Sequence, residues 1–331
     1  NPFKQLVRMY VMRNFTIFLL LTILTVFGGY TQKIDNLSSF RDVGNDNYLR
    51  FNYENDLFYG QDMNYTQGFS FEFVAPFSTK NPLNHLFYKP KNAEIRFGIA
   101  AEHNSFTPNR YFLSEIQFKD RPFAATLTLK SFMISVDTLK QSRFTSSFTI
   151  GMLGELALGE EIQVGIHKIT NSETPFGWAN QIKSDIVLNY EVDYEKQLLR
   201  FRNLFSIQFN SKAKFGTLYT NASVGLNTSF GILNSPFSKL NKERKFNLYV
   251  YAQPLINAIG YDATFQGGVF NRNSPHIISS KDIERFTGQL NYGIVLKSKS
   301  AYFEFLGAFL TKEFKNGNTA QWGGFKIGLM L

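Results

Sequence analysis

The chain has 331 residues, 16% of them aromatic with 36 Phe, only 18% charged, no Cys, and a formal net charge of +9. Without Cys there is no disulfide framework, thiolate zinc site or lipoprotein anchor, and the apolar content excludes a disordered chain. Apolar runs long enough for a helical membrane bundle are missing, and the mild basic excess forms no nucleic-acid-binding stripe, so no nucleic-acid partner is expected.

At the N-terminus, Met12-Arg13-Asn14 precedes the uncharged stretch from Phe15 to Phe27, which is followed by Gly28 and Gly29. A basic start, a short apolar run and small residues describe a secretory signal. A helix over that stretch would be roughly 20 Å long, too short for a hydrocarbon core of about 30 Å. Residues 1–31 are therefore expected to be a signal peptide with upstream residues, and 32–331 one folded unit.

From there to the C-terminus a period of two dominates. Leu49, Phe51 and Tyr53 alternate with Arg50, Asn52 and Glu54; Phe69, Phe71 and Phe73 with Ser70 and Glu72; Ile95, Phe97 and Ile99 with Glu94, Arg96 and Gly98. Further along, Phe144, Phe148 and Ile150 share a parity, as do Ile186, Leu188, Tyr190, Val192 and Tyr194, then Leu199, Phe201, Phe205 and Ile207. Leu290, Tyr292, Ile294 and Leu296, then Phe303 and Phe305, and finally Phe325, Ile327 and Leu329 continue the pattern. Side chains two apart share a face of a strand, so each segment has one apolar and one polar face. The segments are long for soluble strands, aromatics sit on the apolar parity, and full charges (Glu72, Arg96, Glu191, Arg200, Arg285, Glu304) sit on the polar one. Those features point to a membrane barrel with a wet lumen.

Twelve segments start near residues 48, 67, 93, 122, 142, 184, 198, 216, 245, 284, 301 and 321. The expected fold is all-β, a twelve-stranded antiparallel transmembrane β-barrel in the bacterial outer membrane. An even number places both termini in the periplasm, so the long connections are extracellular. The third of these, from Glu155 to Thr170, spaces Leu156, Ile162, Ile166 and Ile169 as a short helix would, with His167 near its end and Glu173 six residues on.

On this phasing the unusual polar residues share one rim. Asn55-Asp56 closes the first strand, Tyr65-Thr66 opens the second, Asp120-Arg121-Pro122 opens the fourth, and His167 and Glu173 lie in the helical loop. A serine-hydrolase elbow, a zinc-protease helix motif and a phosphate loop are all absent from the sequence.

Asn55-Asp56-Leu57-Phe58, Asp62-x-x-Tyr65-Thr66-x-Gly68, Asp120-Arg121-Pro122-Phe123-Ala124, and His167-x5-Glu173 with Pro175-x-Gly177-Trp178-x-x-Gln181 together resemble the LpxR family of outer-membrane lipid A deacylases. The resemblance runs in order from about residue 48 to 190. It implies calcium-dependent hydrolysis of the 3′-acyloxyacyl ester of lipid A, at a site between the outer barrel wall and a loop helix that faces the cell exterior. The family's active-site residues fall on Asn55, Asp56, Thr66, His167 and Glu173. Neutral His167 is suited to accept a proton from water, with Glu173 to orient it or stabilise the imidazolium. Asp56, Asn55 and Thr66 are oxygen donors suited to Ca2+, and Arg121, Arg110 and Lys168 are candidates for the lipid A phosphates. The chain is expected to be a monomer. It departs from the family in Ala124-Ala125-Thr126, where many relatives have Gly-Trp, in the proline-free Gly154–Gly159 approach to the helix, and in ending on Leu331. A non-catalytic porin or adhesion barrel, and an esterase acting on another lipid, are the alternative readings.

Overall fold

The computed structural model describes residues 43, 47–60, 65–237 and 246–331; the expected signal segment and residues 61–64 of the second rim motif lie outside them. Twelve strands make up most of the described chain. They are β1 (Tyr48–Asn55), β2 (Gln67–Val74), β3 (Glu94–Phe106), β4 (Ala124–Asp137), β5 (Ser142–Leu153), β6 (Asp185–Phe201), β7 (Phe205–Gly216), β8 (Tyr219–Ile232), β9 (Asn247–Asp262), β10 (Phe286–Lys297), β11 (Ala301–Leu310) and β12 (Ala320–Met330). Each pairs antiparallel with its sequence neighbours, and β1 closes the ring on β12 through Tyr48 opposite Met330 to Asn55 opposite Gly323. Closure leaves no sheet edge and satisfies the backbone polar groups internally, as hydrocarbon requires.

Eleven strands begin within three residues of their expected starts; β7 does not. The run from Leu199 to Phe201 belongs to β6, and the hairpin turns at residues 202–204, where Arg202 adopts φ +50°. A bulge between Gln197 and Leu199 shifts the register of β6 against β7. One extra residue swaps the outward parity from Tyr194 to Leu199, and in sequence that swap reads as a new strand.

Outward positions are apolar around the ring, with Phe71, Leu129, Ile186, Ile256, Phe286 and Leu329 all exposed. The inward positions are polar but packed rather than wet. Arg50 and Glu72 form a 2.7 Å ion pair at 2% and 5% side-chain exposure. Glu304 accepts from the Tyr251 and Tyr302 hydroxyls at 2.6 Å each and lies 3.8 Å from Lys326, with both charged groups fully buried. Two of the expected inward charges lie at the ends of the barrel: Arg200 is half-buried opposite the buried Ser206, and Arg285 precedes β10. Arg200 donates to the Leu233 and Asn234 carbonyls at the short-turn end, and Arg285 to the Gly260 and Ser280 carbonyls at the long-loop rim.

An apolar layer closes each end of this polar belt. At the short-turn end Val43, Tyr48, Val74, Phe132, Phe237 and Val295 pack together. At the long-loop rim Tyr65, Phe106, Leu153, Leu218, Leu306 and Trp322 do the same. Among the described residues no helix is long and apolar enough to cross a membrane.

A candidate site on the outer barrel wall

The loop between β5 and β6 forms a 3-10 turn, Glu155–Ala157, and the helix α1, Gly159–Thr170, as the three- and four-residue spacing predicts. Its orientation is less expected. The buried residues of α1 are Gly159, Gln163 and His167, one polar stripe at steps of four. Of the apolar residues of α1, Ile169 is exposed at 86%, while Ile162 and Ile166 are half-buried at the edge of that stripe. The helix therefore packs a polar stripe on the wall, and its exposed residues include Glu160, Glu161 and Lys168 as well as Ile169.

Close approach at the helix start fixes α1 to the wall. Gly159 sits where an added Cβ would lie 2.5 Å from the Ala125 Cβ and 2.6 Å from the Trp178 ring. Ala125 has the same parity as the exposed Leu127 and Leu129, so this contact is on the outside of β4. Trp178 is fully buried against Phe123, and its indole N–H donates to Gln163 Oε1 at 2.7 Å. His103, also on outward parity, is buried, stacks on Phe69 and bonds through Nε2 to the Ala157 carbonyl at 3.0 Å. Leu158 caps the helix start at φ +61°, a left-handed conformation unusual for a leucine.

At the other end of α1, His167 Nδ1 bonds to the main-chain carbonyl of Glu173. A carbonyl only accepts, so Nδ1 carries the proton and Nε2 is the basic nitrogen of the neutral ring. The turn that brings Glu173 back is set by Asn171 at φ +57° and by Ser172 N–H donating to the His167 carbonyl at 2.9 Å. Glu173 thus positions the imidazole through its backbone, and its carboxylate is exposed. Tyr111 meets the His167 ring edge-to-face at 5.4 Å.

Across the wall, the ends of β1 and β2 bring Asn55, Asp56 and Thr66 together. Asn55 pairs with Gln67, which places Thr66 beside Asp56 just past the ladder. Asn55 Oδ1 accepts from Leu57 N–H at 2.7 Å, and its Nδ2 donates to the Tyr53 hydroxyl at 3.0 Å. Asp56 is buried at 1% exposure at the start of the 3-10 turn Asp56–Tyr59. Thr66 Oγ1 is 2.6 Å from Thr107 Oγ1. That turn folds down over the outer wall, where Gly323 and Gly307 leave room for Phe58 and for the Tyr59 hydroxyl. The segment after β3 ties the two groups together: Thr107 holds Thr66 and Tyr111 holds His167, and four residues of chain span at most about 14 Å.

The three candidate cations divide. Arg121 is buried between the Phe106 and Phe265 rings, with Glu313 at 3.7 Å and the Thr264 hydroxyl at 3.5 Å. Burial lowers its pKa against the opposing pull of Glu313, Asp262 and Asp120. It ties three loops together inside the rim. Arg110 and Lys168 are exposed. Among the described residues no three His, Asp or Glu side chains cluster as a metal site. Gln67, His103, Ser105 and Gln163 also lie at this wall but were not singled out in the sequence. Their mark was polarity at wall-facing positions otherwise filled by Phe, Ile and Ala.

A closed barrel with an apolar exterior and a packed lumen defines an integral β-barrel membrane protein, and its candidate polar residues lie on the outer wall rather than in the lumen. The chain belongs to the LpxR family: the family described as outer membrane protein LpxR matches residues 16–331. It is accordingly an outer-membrane barrel. LpxR from Salmonella typhimurium has a similar fold, with a TM-score of 0.70 at 16% identity over 86% of this chain and 100% of that one. The β domain of the Bordetella autotransporter BrkA aligns with a TM-score of 0.46 at 6% identity, over 86% of this chain and 99% of that one. No curated protein matches the chain in sequence.

Proposed function

We propose that the chain is a lipid A deacylase, a carboxylic ester hydrolase that removes the 3′-acyloxyacyl chain from lipid A in the outer leaflet, with the site at the rim facing the cell exterior. The observation that carries this reading is the polar stripe of α1 turned to the outer wall, with His167 Nδ1 held by the Glu173 carbonyl. A site on the wall meets a membrane lipid without extracting it. The packed lumen weighs against the porin reading.

In this mechanism His167 Nε2 takes a proton from water as the water oxygen attacks the ester carbonyl carbon. The tetrahedral adduct collapses with cleavage of the bond to the sugar oxygen. The imidazolium then returns its proton to that oxygen, leaving a carboxylic acid and a sugar hydroxyl. The main-chain carbonyl of Glu173 holds the imidazole through both transfers, and the Glu173 carboxylate lies close in sequence to favour the imidazolium. Asp56, with the oxygens of Asn55 and Thr66, is an all-oxygen set with one buried carboxylate, which fits Ca2+ completed by water or substrate oxygens. Bound there, the ion would polarise the ester carbonyl and hold the developing oxyanion. Arg110 and Lys168, both exposed, would meet lipid A phosphates, whereas Arg121 serves the rim internally.

The test is mass spectrometry of lipid A from a heterologous Gram-negative host expressing the native chain or His167→Ala, with and without calcium chelation. Loss of an acyloxyacyl group with the native chain alone, abolished by both changes, is the expected result. Unchanged lipid A beside a folded barrel in the outer membrane would overturn the proposal.

A further inference from the structure

On β1 and β2 the outward side chains approaching the long-loop rim are Tyr53 and Phe69, the end of an apolar band, and on β3 the buried His103 lies beside Phe69. At the rim the same parity changes to Asn55, Gln67 and Ser105. Asn55 stands opposite Gln67, and Gln67 opposite Ser105, so the three form one row across adjacent strands. At about 4.8 Å between strands the row is about 10 Å long. On one side it is bounded by the turn Asp56–Tyr59 lying over Gly323, and on the other by α1 lying over Ala125. It lies on the outer wall between these two elements.

All three residues are buried, Gln67 at 1% and Ser105 at 0% exposure. Asn55 is bonded to Leu57 and Tyr53. Gln67 Nε2 and Ser105 Oγ have no hydrogen-bond partner among the described residues. A buried donor left unsatisfied is strongly unfavourable, and two side by side on the outer wall of a barrel are not explained by packing. Both are neutral donors, and the buried carboxylate of Asp56 follows directly in the chain from the end of their row. Uncharged donors of this kind suit a neutral acceptor such as a carbonyl oxygen. The row also lies two residues, about 7 Å, beyond the last outward aromatics. That is the level where acyl chains give way to their ester and amide carbonyls.

We infer that Gln67 and Ser105 form a carbonyl-binding subsite that donates two hydrogen bonds to an acyl carbonyl oxygen of the bound lipid and sets its height against His167. The choice of lipid A as that lipid rests on the proposed function; the subsite itself does not.

The test uses the full chain, refolded in a zwitterionic detergent, with His167→Asn to keep esters intact, and follows thermal unfolding as hexa-acylated lipid A is titrated in. A diacyl phosphatidylethanolamine, which has ester carbonyls but no sugar, is the second arm. Lipid A is expected to raise the unfolding temperature. Gln67→Met and Ser105→Ala are expected to leave the lipid-free unfolding temperature unchanged or higher, because each removes an unsatisfied donor. Each shifts the titration midpoint about 2- to 10-fold weaker, and the pair about 10- to 100-fold. A fall in the lipid-free temperature for both variants would show that the donors are structural and sink the inference. So would an unchanged midpoint, even if the native chain deacylates lipid A, or the lack of any shift with either lipid. Equal response to phosphatidylethanolamine through the same two residues would keep the subsite and overturn the lipid A reading instead.

Discussion

Two glycines of α1 make a matched pair, and their replacement by alanine should have opposite effects. At Gly159 a methyl group would meet the Ala125 Cβ at 2.5 Å and the Trp178 ring at 2.6 and 2.7 Å. Carbon atoms prefer about 3.5–4.0 Å, so the start of the helix must lift by roughly 1 Å. Trp178 cannot yield readily, being fully buried and bonded to Gln163. Overpacking of this kind costs about 1–3 kcal/mol, a factor of about 5 to 150 in the equilibrium that undocks the helix. At Gly165 nothing lies within 4 Å. There the methyl group only improves helix propensity, by about 1 kcal/mol or roughly fivefold. Amide hydrogen exchange on the folded protein, read on peptides from 159–170 with the strands as internal reference, separates the two cases. Gly159→Ala should lower protection of α1 and leave the strands unchanged, while Gly165→Ala should raise it. Because a misplacement of about 1 Å is worth on the order of 100-fold in rate, lipid A deacylation should fall similarly for Gly159→Ala only. Equal protection in both variants, or loss spread over the strands, would refute the docking of α1 through Gly159.

Other expectations follow from individual contacts. Glu304→Gln strands the fully buried Lys326 and should lower stability by about 3–5 kcal/mol in urea unfolding from vesicles. Adding Lys326→Met should restore most of that loss. Glu173→Gln keeps the main-chain carbonyl that holds His167 and should retain deacylation within about 10-fold, whereas His167→Asn should lose about 100- to 10,000-fold. If the two variants fell equally in lipid A mass spectrometry, the backbone account of His167 would be wrong. In planar bilayers the native chain should show no porin-like conductance steps, since the polar belt is packed and apolar layers close both ends; steady open-channel current would contradict that packing.

The barrel was legible because hydrocarbon outside and polar groups inside impose a strict alternation, and Phe marks one parity in nearly every strand. Where that alternation breaks it misleads, as at the bulge after Gln197, which hides the continuation of β6. Helical spacing in α1 was equally plain, but Ile162, Ile166 and Ile169 do not say which side packs. The stripe that packs on the wall is Gly159, Gln163 and His167, with Ile162 and Ile166 half-buried at its edge. Hairpin phasing put Asn55, Asp56 and Thr66 on one rim, and the register confirms their proximity. Arg121 was visible as part of a motif, yet nothing local in the chain foretold the two phenylalanine rings that enclose it, since Phe265 lies far along the sequence. The polar row of Gln67 and Ser105 becomes meaningful only once the parity of β2 and β3 is known to face the wall.

A site on the wall changes the dimension in which substrate is found. Lipid reaches such a site by sideways diffusion within the leaflet, so the quantity that governs turnover is its mole fraction in the surface, not its concentration in the surrounding solution. Neutral detergent added at fixed lipid concentration would slow the reaction by thinning the substrate within the same film. Crowding by other barrels would do the same by narrowing the lanes that lead to the α1 side. Such a protein is throttled by the texture of its membrane, and a change in lipid packing can act on it without touching a single residue.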